Sequence, residues 1–154
     1  MLGVAAKIDR MWIGVGVENG QILWNTVPLP SLEEVKKYAV KRCPRISLEA
    51  PDYIRDYAVK VYRLYRGEDV EVDRSNLIVP PGMLWEALKR LLKIPRGRVS
   101  TYGWLASSIG VHPRVVGRLM SLNPFPLVYP CHRVVRADGR LGGYAYGLNV
   151  KRRI

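Results

Sequence analysis

Residues 130–134 read Pro-Cys-His-Arg-Val and hold one of only two cysteines in 154 residues, with a histidine and an arginine directly after it. A thiol attacks carbon only as thiolate, and neighbouring positive charge favours that form. On a strand, adjacent side chains face opposite ways, so His132 reaches the Cys131 sulfur through a bridging water or a bend after Pro130. Further on, Gly142-Gly143-Tyr144-Ala145-Tyr146-Gly147 is a glycine-rich loop that can approach a ligand closely, and Tyr144 or Tyr146 can donate a hydrogen bond to a leaving oxygen. The opposing reading is a buried cysteine acting as a small, inert apolar residue beside an ordinary loop. That reading suits Cys43, flanked by Arg42 and Pro44.

These residues need elements to hold them. Pro126-Leu127-Val128-Tyr129-Pro130 is an apolar, β-prone approach to Cys131. Before it lies a compact pair of helical patterns. Ser100 or Thr101 caps the first, which carries Leu105 and Ile109 and ends at Gly110. Pro113 opens the second, with Val115, Val116, Leu119 and Met120, and Asn123-Pro124 stops it. Two short helices joined by a tight turn fit a helix-turn-helix, with Arg114 and Arg118 on the second helix and His112 in the turn, not a ligand. An amphipathic helix over 83–92 precedes them.

The first half reads as a small α/β unit. Strands over 12–17 and 22–27 flank the turn Glu18-Asn19-Gly20-Gln21. Ser31, with Glu34 three residues on, starts one helix; Pro51-Asp52 starts another that closes near Gly67. The acidic stretch 68–73 and Pro80-Pro81-Gly82 read as a linker. The expected architecture is thus an α/β N-terminal domain with a small β-sheet (1–79) and a mainly helical, winged-helix-like C-terminal domain (80–154).

Charge divides the same way. The net charge is +12, yet residues 1–87 carry 12 Lys/Arg and 12 Asp/Glu. Residues 88–154 carry 13 Lys/Arg against one acid, Asp138. Solubility needs no such asymmetry, whereas a phosphate-bearing partner explains it directly; a charge-rich thermophile surface would mix the signs. A single Gln and five Asn still hint at a thermophilic source. No run of 18 apolar residues suggests a membrane span, and the first ten residues are charged too soon for a secretory signal. Two cysteines make neither a disulfide framework nor a zinc cluster, so a reducing, cytoplasmic setting, associated with the nucleoid, is expected.

Taken together, Ile94-Pro-Arg-Gly97, Ser100-Thr-Tyr102, Arg114-x-Val116-Gly117, Asn123-Pro124, Pro130-Cys-His-Arg-Val134 and Gly143-Tyr144 closely resemble the O6-alkylguanine-DNA alkyltransferases. The pentapeptide with Asn-Pro seven residues earlier is the specific part, and the resemblance covers the second half of the chain. It implies a double-stranded DNA partner containing O6-alkylguanine, a monomer, no metal or diffusible cofactor, and a helix-turn-helix in the minor groove. Gly117 would let the backbone approach DNA. Arg114 would fill the space of an extruded nucleotide, and Tyr102 would rotate its phosphate. Flipping is needed because the alkylated oxygen lies within the base stack. Asn123 would tie the helix pair to the active-site segment. The carbonyls of Cys131 and Val134 would accept from the guanine amine, the Tyr144 hydroxyl and Ala145 N–H would face O6, and Lys151 would support the tyrosines. Attack by Cys131 then makes a thioether, once per molecule.

One residue departs from that pattern. The family histidine is oriented by a Glu that would fall a few residues past Ile154. Either the sequence stops short of it, another acid serves His132 (the Ile154 carboxylate or one from the first half), or basic neighbours and a helix N-terminus hold the thiolate unaided. Three rival readings fit the sequence less well. A non-catalytic lesion sensor would carry another residue in the Cys131 slot. A winged-helix regulator with a structural cysteine does not need Tyr102, Asn123 and Tyr144. A cysteine hydrolase does not need the basic half.

Overall fold

The computed structural model describes all residues, 1–154, and the chain divides into two compact units, Met1–Ile78 and Val79–Ile154. The first unit is a four-stranded sheet with two helices. Strand β1 (Leu2–Ile8) pairs antiparallel with β2 (Met11–Glu18), and β2 with β3 (Gln21–Asn25). Helix α1 (Leu32–Ala39) follows, then the short strand β4 (Ile46–Ser47), parallel to β1, then helix α2 (Asp52–Tyr65). The sheet order is β3-β2-β1-β4. Asn19 and Gly20, both at positive φ, make the tight β2–β3 hairpin. Ser31 accepts from the Glu34 N–H at 3.2 Å and starts α1. Val35 and Ala39 from α1, and Ile54, Tyr57, Ala58 and Val61 from α2, are buried at helical spacing.

Three expectations change here. Strand β1 was not foreseen. Its inner residues Val4, Ala5 and Ala6 are all buried, so it lacks the alternation that betrays a half-exposed strand. Strand β3 ends at Asn25 rather than Val27, because the Thr26 hydroxyl accepts the Gly14 N–H and the Thr26 N–H donates to the Gly14 carbonyl. Nor is the stretch before Pro80 a plain linker. Ile22 exchanges backbone hydrogen bonds with Asn76 and Ile78 (2.8 and 2.9 Å), and Val72 and Leu77 are buried.

The second unit is mostly helical. Helix α3 (Met83–Leu91) leads to strand β5 (Ser100–Thr101), helix α4 (Tyr102–Ile109) and helix α5 (Pro113–Ser121). Thr101 caps α4 by accepting from the Trp104 N–H at 3.1 Å. His112 caps α5 through Nδ1, which accepts from the Arg114 N–H at 3.2 Å, with Pro113 in the first helical position. Ala87, Leu88, Leu91, Leu105, Ala106 and Val116 form the core, and Trp85 meets Tyr129 edge-on at 6.2 Å. Strand β6 (Val134–Val135) runs parallel to β5, Ser100 opposite Val134, and helix α6 (Leu148–Arg153) closes the unit.

The approach to Cys131 is not a strand. Pro124, Pro126 and Pro130 remove three backbone donors, so no ladder can form, and the segment turns instead. The Tyr129 N–H donates to the Phe125 carbonyl, the Cys131 N–H to Tyr129, and the Arg133 N–H to Pro130. Cys131–Arg133 is a single 3₁₀ turn.

Candidate active site around Cys131

Cys131 opens that turn and is only 6% exposed. Burial is the largest influence on its thiol and pushes the pKa up, because the charged form loses water. Asn123, within hydrogen-bonding reach of the sulfur, works the other way, as do the positive charge of Lys151 and the backbone N–H groups of Cys131 and His132. The resting group is therefore a protonated thiol at neutral pH. That corrects the expectation of a thiolate held by His and Arg charge. The guanidinium of Arg133 donates to the Ile94 carbonyl at 2.9 Å, tying the turn to the end of α3.

His132 is held neutral. Its pKa falls to about 4, first through burial and then through the cations Arg133 and Lys151. No carboxylate, the terminal one included, is among the groups acting on it, so the expected acid partner is not found. Nδ1 is buried and makes no hydrogen bond. His132 therefore carries a neutral imidazole with one buried, unbonded nitrogen in the residue that follows the cysteine.

The Tyr144 hydroxyl is also buried and makes no hydrogen bond of ordinary geometry. Burial raises its pKa well above the usual phenol value, and the Cys131 and Tyr146 groups beside it add to the rise. It stays a donor at every physiological pH. The Tyr146 ring packs against it, centroids 5.9 Å apart. Tyr102, at the start of α4, is likewise raised by burial and then by Cys131.

Lys151 joins these groups. It lies on α6 with only 4% of its surface exposed and no acid partner. Its ammonium donates to the carbonyls of Leu141 and Gly143 and to the Tyr102 hydroxyl, the last at 3.2 Å, and it sits 5.5 Å from the centre of the Tyr102 ring. Burial lowers its pKa while Cys131 raises it. The glycine-rich loop, Tyr102 and the cysteine thus share one buried cation.

Asn123, 8% exposed, donates to the Tyr129 carbonyl and accepts from the Phe125 N–H, both at 2.9 Å, so the end of α5 is bound to the segment leading to Cys131. Val134 is buried, and its N–H donates to the Cys131 carbonyl, which keeps a second lone pair. Ala145 is exposed on the loop. Arg114, Gly117 and Arg118 stand apart, all exposed on α5. A Cβ at Gly117 would meet nothing within 4 Å, so no packing inside the protein requires glycine there.

Gly142, read in the sequence only as part of a ligand-approaching loop, packs against Tyr102. Its φ is +72°, and an added Cβ would lie 2.8 Å from the Tyr102 hydroxyl, so only glycine lets the loop press on Tyr102. The adjacent Gly142-Gly143 pair was the available signal.

Residues 83–154 match the family model described as the 6-O-methylguanine DNA methyltransferase, DNA binding domain. A methylated-DNA–protein-cysteine methyltransferase of Methanothermobacter thermautotrophicus is 38% identical over 128 residues, spanning 80% of this chain and 68% of that protein. The protein of the same name from Methanocaldococcus jannaschii is 33% identical over 150 residues, 95% of this chain and 87% of its own. Among solved structures, the O6-methylguanine-DNA methyltransferase of Pyrococcus kodakaraensis superposes with a TM-score of 0.70 at 31% identity, covering 98% of this chain and 95% of that one.

Proposed function

The chain belongs to the family of methylated-DNA–protein-cysteine methyltransferases, and from that premise we propose that it repairs DNA by taking the alkyl group of O6-alkylguanine onto Cys131. The observation that carries the reading is the buried Cys131 thiol facing the unpartnered Tyr144 hydroxyl, with a neutral, unpartnered His132 beside it. Each lacks something that an alkylated base would supply.

The reaction forms one bond, Cys131 sulfur to alkyl carbon, and breaks one, alkyl carbon to O6. His132 Nδ1 takes the thiol proton as the sulfur attacks. The electron pair of the broken bond leaves on guanine, and Tyr144, with the Ala145 N–H, meets the charge developing there. In net terms the thiol proton ends on guanine. Lys151 favours the thiolate and holds Tyr102 and the loop in place. Water does not readily cleave a thioether, so each molecule acts once.

For DNA, we read α4 and α5 as the helix-turn-helix of a winged-helix-like domain, with β5 and β6 as its small sheet. Arg114, Gly117 and Arg118 on exposed α5 face the duplex. Gly117 admits the backbone, Arg114 takes the place of the flipped nucleotide, and Tyr102 turns its phosphate. The carbonyls of Cys131 and Val134 receive the guanine amine. The protein works as a monomer inside the cell, where DNA is.

Intact mass after incubation with a duplex carrying O6-methylguanine tests this. One methyl group is expected on the wild type and on Cys43→Ser, stopping at one equivalent, and none on Cys131→Ser. A methyl group on Cys131→Ser, or repeated turnover by the wild type, sinks the reading.

A further inference from the structure

A second feature of the basic half lies beside Cys131, outside the proposed α5 surface. A cleft of about 830 Å³ is lined by Arg136, Arg140 and Arg152, by the backbone of the glycine-rich loop, and by Tyr144. That size lies within the range of about 300–1,000 Å³ typical of small-ligand pockets. The arginines come from different places: Arg136 just after β6, Arg140 from the following turn, and Arg152 from α6. Their convergence is therefore a product of folding and not of a charge run.

The local charge is unbalanced. Asp138, the one acid in residues 88–154, pairs loosely with Arg136 and Arg140 at 3.4 and 3.8 Å. Arg152 has no carboxylate partner, and Arg136 and Arg140 are 54% and 77% exposed. Three guanidiniums against one carboxylate leave two positive charges facing an open cleft. Guanidinium forks and bare loop N–H groups are the chemistry that binds phosphate oxygens.

We propose that this cleft holds one or two phosphodiester groups of the lesion-bearing strand, within two nucleotides of the alkylated base. Tyr144 sets the distance: it lines the cleft while its hydroxyl faces Cys131, so strand leading a base to the sulfur passes the arginines. The inference rests on the alkyl-transfer reading. It adds a second backbone grip, on the far side of Tyr144, to the contacts expected of α5.

The test is a methylphosphonate scan, neutralising one linkage at a time across three positions either side of O6-methylguanine. Affinity is measured with the full chain as Cys131→Ser, so that binding does not consume it, and with Cys131→Ser carrying Arg136→Gln, Arg140→Gln and Arg152→Gln. One or two linkages within two nucleotides of the lesion should each cost the first protein about tenfold in affinity and cost the second nothing. Equal sensitivity of both proteins at every linkage overturns the proposal, and so does a sensitive linkage outside that window. The triple Gln variant with Cys131 intact should accept the benzyl group of O6-benzylguanine, which carries no phosphate, at the wild-type rate. A slower reaction would make the arginines part of the base pocket and overturn the phosphate assignment. If the wild type does not take the benzyl group, alkyl transfer fails, and the scan around O6-methylguanine, which reads binding alone, still decides the cleft.

Discussion

Three pairs of like residues set the two units of the molecule against each other. Cys43 and Cys131 are equally buried, at 4% and 6% exposure. Yet Cys43 packs with Trp24 and Ala39 and lies 3.0 Å from the Arg45 carbonyl, while Cys131 is surrounded by groups that titrate or donate. Tyr57 gives its hydroxyl to Asn25 at 2.8 Å; the Tyr144 hydroxyl makes no hydrogen bond of ordinary geometry and has the Cys131 sulfur beside it. Gly16 admits the Trp24 ring so closely that a Cβ would fall 2.0 Å from Nε1, whereas space over Gly117 is open. Residue type is matched in each pair, and for the cysteines burial as well; what differs is what each residue meets. The N-terminal unit meets each of these three groups with its own atoms, although the indole nitrogen of Trp24 stays unbonded. The C-terminal unit leaves His132 Nδ1 and the Tyr144 hydroxyl without ordinary hydrogen bonds and one face of α5 open.

Tyr144→Phe should show the largest effect. If the hydroxyl waits for the leaving group, its loss costs about 10²–10³ in the alkyl-transfer rate, the range for removing one oxyanion donor. Stability should hold or rise slightly, because a buried, unsatisfied hydroxyl is removed. Tyr57→Phe should do the reverse, leaving the rate alone and costing about 1 kcal/mol as Asn25 loses its donor. Single-turnover kinetics and urea melts of both variants decide it. A similar rate loss in both would erase the contrast.

His132 supplies the next test. Its folded pKa of about 4 lies below the ordinary imidazole value of 6.5. Between those values the unfolded chain binds the proton more readily than the folded one, so acid favours unfolding. The contribution is intact above pH 6.5 and is lost as pH falls toward 4. Over that window it amounts to about 3 kcal/mol. His132→Gln should lose less stability than the wild type between pH 7 and pH 4, by about that amount. Parallel denaturation curves for the two proteins at both pH values would mean that His132 is not held neutral.

How much of this was legible beforehand follows the reach of each interaction. Helices α1, α4 and α5 were readable because their signals are local: Ser31, Thr101, Gly110 and the His112-Pro113 pair act within one turn. Strand β1 was not, although it pairs with β2 across a tight turn, since Val4, Ala5 and Ala6 are buried without alternation. At the site, motif and resemblance pointed to Cys131, Tyr102, Asn123, Tyr144 and Lys151, and the fold brings these residues close together. The electrical state of Cys131 and His132 was misread, because burial outweighs the neighbouring cations and no sequence displays burial. Arg133 sits beside the cysteine in sequence but serves Ile94, 39 residues away. Adjacency in the chain said nothing about where its charge would go.

The smallest effect is the cleanest test of the contrast. Gly117 lies mid-helix in α5, where glycine costs about 0.5–1 kcal/mol relative to alanine. With nothing within 4 Å of an added Cβ, Gly117→Ala should stabilise the free protein by about that much. Gly16→Ala, by contrast, would drive a methyl group into the Trp24 ring and should destabilise by about 1–3 kcal/mol or more. If α5 presents its backbone to DNA, the same Gly117→Ala should weaken binding of a lesion-bearing duplex while leaving reaction with free O6-benzylguanine unchanged. A variant that is both more stable and equally tight on DNA would mean the glycine is no door for the duplex, and the open helix face would lose its meaning. A stability gain set against a binding loss is what a surface kept bare for a partner must show, because the space a methyl group fills without cost in the free protein is the space the partner needs.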